Sequence, residues 1–166
     1  MNRSMRRRLP AAPLQAANWY DVPEPLRQVI RQGWTVDEMG AYLLQALLDG
    51  YNGSRASFVD LTACESSVNG LGIPDWDMQQ STDVEDRLVR RAISYAYFAL
   101  NAARDVAGAN VLTAVVSASK SLVNDAKMTA RVTFVLDRAD EPTFIDDVEA
   151  YRNEDLLMFS MEDISQ

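Results

Sequence analysis

One stripe of small and apolar side chains constrains this sequence more than anything else in it. Val84, Leu88, Ala92, Tyr95, Ala99 and Ala102 recur at helical spacing, widened by Ile93, Ala96, Leu100 and Ala103. Thr82-Asp-Val-Glu85 ahead of it spells a capping box. A helix over 83–107 is predicted, stopped by Gly108. Its alanines leave room for a close neighbour. Val111, Leu112, Val115, Ala118, Leu122, Val123 and Ala126 keep the same period and predict another helix over 110–127. Almost nothing joins the two, so they should form an antiparallel α-hairpin.

Upstream, Pro25 suits a first helical turn and Gly33 a stop, which predicts a helix over 24–32 with Leu26, Val29 and Ile30 on one face. Thr35-Val-Asp-Glu38 is a second capping box, followed by Met39, Tyr42, Leu43, Ala46 and Leu47 at helical spacing up to Gly50. Residues 56–63 read as a short strand and 64–81 as a long loop. At 129–136 the period changes to two: Val132, Phe134 and Leu136 alternate with Arg131, Thr133 and Val135. A lone strand needs an edge partner, either 56–63 or another chain. A short helix is expected near 144–151. The fold class expected is mainly α: a helical bundle on a long antiparallel hairpin, with one or two short strands and extended tails. Its parts are a basic arm (1–22), a helical core (23–128), the strand (129–136) and an acidic docking tail (137–166). Leu43, Leu47, Leu88, Tyr95, Leu100, Leu112, Val115 and Leu122 should lie in the core.

Charge sets the tails apart. The net charge is −8, yet Arg3, Arg6, Arg7 and Arg8 sit in a stretch without acids. From Asp137 onward there are ten acids against Arg138 and Arg152. The arm can contact phosphate, while the acidic body should repel nucleic acid. A signal peptide needs an unbroken apolar stretch after its charges, and Pro10, Pro13 and Gln15 interrupt this one. No apolar run reaches membrane-spanning length, so no membrane partner is expected. The lone cysteine, Cys64, fits synthesis in the cytoplasm.

The absence of histidine removes Ser-His-Asp and Cys-His catalysis and nearly all zinc sites. Ser117-Ala-Ser-Lys120 has the Ser-x-x-Lys spelling of serine acyl enzymes, but no Lys-Thr-Gly element follows. Asp75, Asp77, Asp83, Glu85 and Asp86 form a carboxylate cluster that can bind a divalent cation or hydrolyse a glycosidic bond. The helix dipole already explains Asp83 and Glu85. Cys64 beside Glu65 is not activated as a thiolate. No catalytic residue, metal or cofactor is assigned.

The segments LRQVIRQG (26–33), TVDEMGAYLLQALLDGY (35–51) and the 85–125 hairpin follow an order that resembles the head-to-tail adaptors of tailed bacteriophages, especially short-tailed ones. The basic arm is additional to that pattern. The resemblance implies a non-enzymatic subunit of a twelve-copy ring, made in a bacterial cytoplasm and carried in the virion. That ring would join the portal to the tail and extend the DNA channel. It also implies a strand that pairs with a neighbouring copy, with Arg131, Thr133 and Val135 as contacts. A tail with Phe144, Leu156, Leu157 and Phe159 would dock on portal or tail proteins. Arg3, Arg6, Arg7 and Arg8 would touch DNA. Two other classes remain open: a small acidic immunity or inhibitor protein that neutralises a basic toxin by charge complementarity through 137–163, and a carboxylate-dependent hydrolase using Glu65, Asp75 or Asp77.

Overall fold

The computed structural model describes residues 1–78, 82–121 and 127–164. It is an α/β protein, 40% helical and 21% strand, with antiparallel sheets of two and four strands. This corrects the expected helical bundle: the long hairpin is absent, and neither terminus is an extended tail.

The first stripe does make a helix. α5 (Val84–Asn101) buries Leu88, Val89, Ala92, Ile93, Tyr95, Ala96, Ala99 and Leu100. The second stripe does not. Leu112–Lys120 is strand β4, paired along its whole length with β5 (Met128–Leu136). The sequence LTAVVSASK satisfies both periods, because Leu112, Ala114, Val116 and Ala118 also alternate. Two adjacent valines and a Thr/Ser-rich opposite face suit a pleated surface better than a helix. Of the expected core, Leu43, Leu88, Tyr95, Leu100, Leu112 and Val115 are buried. Leu47 is half-buried, and Leu122 lies outside the described residues.

Upstream the local signals compete. α2 (Glu24–Gln32) forms as expected and ends at Gly33, whose φ of 73° favours glycine. The second capping box is not used. Asp37 instead accepts from the Met39 and Ala41 amides (both 2.9 Å), and Gly40 sits at φ 92°. This Asx turn closes a hairpin of β1 (Trp34–Val36) and β2 (Tyr42–Leu44), followed by α3 (Gln45–Asp49). In place of the strand expected at 56–63 stand a 3-10 turn (Arg55–Ser57) and the first turn of α4 (Leu61–Val68), a helix that runs on into the segment expected to be loop. Asp60 caps α4 by accepting from the Ala63 amide at 2.6 Å. Strand β3 (Leu71–Gly72) comes next.

The large sheet has the order β3-β5-β4-β6, with β6 spanning Asp155–Ser160. The strand expected at 129–136 is therefore its interior, not a free edge. α5 lies across one face. There Phe134 meets Trp34 (5.3 Å) and Tyr95 (5.9 Å) edge to face, and the Trp34 indole donates to the Ala99 carbonyl at 2.8 Å. The other face carries a smaller core of Val115, Leu156 and Ile145, joined by Val148 and Met158. Only a 3-10 turn, Val148–Ala150, stands where a helix was expected near 144–151. The basic arm contains α1 (Arg3–Arg8), packed on β6 with Met5 buried.

Candidate functional site

α4 carries a buried polar seam. Glu65 is fully buried and binds Arg138 through two contacts of 2.6 and 3.0 Å. The same carboxylate accepts from the Tyr42 amide (2.8 Å) and the Leu136 amide (2.7 Å). One turn on, buried Asn69 accepts from the Leu44 amide and donates to the Tyr42 and Phe134 carbonyls. The two side chains thus supply the ladder bonds that β2 and β5 do not make with each other. Arg138 also reaches the Gly40 carbonyl at 3.2 Å. Glu141 accepts from the Leu61 and Thr62 amides and the Thr62 hydroxyl at the start of α4. Burial alone would raise its carboxyl, but the Thr62 bonds and the Arg138 charge hold it below the usual range.

The carboxylates singled out in the sequence are committed in the same way. Arg91 is buried in α5 and grips Asp77 at 2.6 and 2.9 Å, while also binding the Pro74 and Asp21 carbonyls. Those hydrogen bonds hold the Asp77 carboxyl below its usual range. Asp75 pairs with Lys127 at 3.1 Å. Glu85 and Asp86 pair with Arg8. Among the described residues, no three potential metal-binding side chains come together. Ser117 and Lys120 are three apart on a strand, so they point to opposite faces and cannot act together. Burial pushes the Cys64 thiol up, and no described helix is long and apolar enough to cross a membrane.

Two of the arm's four arginine side chains, Arg6 and Arg8, lie beside carboxylates. Arg8 binds Asp155 at 2.9 Å and Asp86 at 2.8 Å. Arg6 lies 3.9 Å from Glu149, and the Arg3 amide donates to Glu149 at 3.1 Å. Arg7 is exposed. The residues named as partner contacts divide sharply. Thr133, Val135, Leu156, Leu157 and Phe159 are buried within the chain, whereas Arg131 and Phe144 are exposed.

What stays open to a partner is 137–154, with seven acids against two arginines. Ile145 and Val148 anchor the segment in the small core against Val115 and Leu156. Asp146, Asp147 and Glu149 alternate with those anchors and are exposed, as are Phe144, Tyr151, Asp137 and Asp140. This face is a row of carboxylates on a fixed backbone, edged by two aromatic rings. The charge run was visible in the sequence, but its anchoring was not. Asn2, Asn69 and Arg91 were missed as organising residues. For Arg91 a signal existed, a charge inside an otherwise apolar stripe.

Compared with protein-family models, curated proteins and solved structures, the chain matches none.

Proposed function

We propose that this chain is a non-enzymatic binding protein that engages a basic protein partner through the acidic face of 137–154. The observation that carries this reading is the alternation of apolar anchors, buried Ile145 and half-buried Val148, with exposed acids, Asp146, Asp147 and Glu149. Carboxylates held on an anchored segment attract a basic surface with little ordering cost on binding. The hydrolase alternative has less behind it, because Glu65, Asp75 and Asp77 are each tied to a cation of the chain. A DNA-binding arm has less behind it too, since Arg8 is bound to Asp155 and Asp86. The likeness to phage adaptors drew on a helix at 110–127, where β4 stands. A portal-bound ring in a virion therefore gains no support from this fold.

Calorimetric titration with an oligoarginine peptide, and separately with a DNA duplex, tests the proposal. The peptide should bind in a salt-sensitive manner and the duplex should not. The combined variant Asp146→Asn, Asp147→Asn, Glu149→Gln should lose most of the affinity. A control neutralising three exposed acids elsewhere, Glu38, Asp49 and Asp105, should lose little. Equal losses in both variants would overturn the assignment of the face.

A further inference from the structure

β6 is an edge strand, and among the described residues its outer edge is protected at two points only. The Asn2 amide donates to the Leu156 carbonyl at 2.9 Å, and the Asn2 side chain accepts from the Leu156 amide at 3.1 Å. At the other end Asp163 accepts from the Ser160 amide at 2.7 Å. In an antiparallel ladder alternate residues aim their N–H and C=O to the same side. Met158 lies between Leu156 and Ser160 in that parity, so its backbone pair faces outward, and no described protein group pairs with it. Beside this point runs a groove of about 600 Å³ lined by Leu14, Tyr97, Leu157, Met158, Phe159 and Ile164. Asp163 stands at its rim, with Glu162 exposed next to it.

We infer that this groove accepts an extended segment of a basic protein, which adds to β6 by pairing one residue with the Met158 backbone. The inference rests on the proposed basic partner and names how a strand of it docks. Residues flanking the paired one point to the α5 side of the sheet, as Leu157 and Phe159 do, so the groove selects apolar side chains there. Past Ser160 the segment meets Asp163 and Glu162, which selects Lys or Arg. A second copy of this chain fits poorly. Pairing Met158 with Met158 brings like acidic ends together, with Asp163 and Glu162 of one copy facing Glu154 and Asp155 of the other. The segment recognised is basic-basic-apolar-any-apolar, running antiparallel to β6.

The test uses the full chain and the blocked peptide KRLTLT, with EELTLT and a form of KRLTLT N-methylated at the threonine between its leucines. KRLTLT should bind and shift the amide signals of Leu14, Tyr97 and 157–159. N-methylation removes one edge hydrogen bond and should weaken binding about tenfold. Met158→Pro should weaken it similarly, because its N–H points out of the sheet and a proline there takes no ladder bond from β4. Equal binding of the N-methylated peptide or of EELTLT would overturn the inference. So would shifts confined to 144–151. If KRLTLT does not bind while oligoarginine still binds at Asp146, Asp147 and Glu149, the groove assignment falls and the acidic face stands. If neither binds, both fall.

Discussion

Glu65 shows how one side chain can hold two sheets. Its carboxylate receives two backbone amides from different strands and a two-point contact from Arg138, with no exposure to solvent. Removing it takes the main partner from the largely enclosed Arg138 guanidinium and strands two amides. Glu65→Ala should therefore cost about 3–5 kcal/mol in urea unfolding. A loss below about 1 kcal/mol would show that the seam does not couple the sheets. Tyr95 makes the opposite case. Its hydroxyl is buried with no hydrogen-bond partner, and burial pushes its ionisation well up. Tyr95→Phe should leave stability unchanged or raise it by about 1 kcal/mol. The folded chain favours the neutral phenol, so Tyr95 ionisation leaves stability unaffected below the ordinary tyrosine value of about 10 and lowers it as pH rises further. The variant should therefore be less sensitive to alkali, as thermal melts across that range will show. None of this was readable from residue type alone. Glu65 looked like a candidate catalytic acid until its partner, 73 positions away, was known.

At the scale of elements, legibility followed how many signals agreed. α5 was readable because a capping box, a long stripe and a break coincide, although the helix stops at Asn101 rather than near 107. β5 was readable from strict alternation. β4 was not, since its small residues fit either period and only pairing with β5 decides between them. That decision can be checked by cross-linking. Ser119 and Thr129 are register partners, and the Thr129 hydroxyl donates to the Ser119 carbonyl at 3.3 Å. The double variant Ser119→Cys, Thr129→Cys should oxidise to an intramolecular disulfide, which mass spectrometry and thiol counting will detect. Three free thiols in the unfolded protein after mild oxidation, Cys64 included, would contradict the pairing, whereas the disulfide leaves Cys64 alone. The 35–49 region failed differently. Thr35 and Glu38 imitate a capping box, but Asp37 takes the Met39 and Ala41 amides and Gly40 turns the chain back into a hairpin before a helix can start.

At the scale of the molecule, both termini belong to the core. β6 pairs with β4 over Asp155–Ser160, and α1 packs on it, with Asn2 bonding its edge at Leu156. A chain ending before residue 155 should lose cooperative thermal unfolding, because Leu156, Leu157 and Phe159 leave with the strand. Cooperative melting of that truncation would show that 137–164 is an appendage. Acid should act globally as well. Asp77 and Glu141 have depressed carboxyls, so each contributes stability above the ordinary carboxylate value of about 4, lost as pH falls through the lower folded values. Melting temperatures should fall on the acid side of that point, and less steeply for Glu141→Gln. The sequence showed the charge asymmetry of the molecule but not its resolution, in which Arg8 turns inward to Asp155, Arg3, Arg6 and Arg7 stay exposed, and most of the acids of 137–154 remain outside.

The most direct measurement is amide chemical-shift mapping of the labelled protein titrated with oligoarginine. The account predicts shifts concentrated at 144–151, with Asp146, Asp147 and Glu149 among the largest, while the Glu65 and Asp77 amides stay still. Shifts spread evenly over the acidic surface, or centred on Glu38, Asp49 and Asp105, would contradict it.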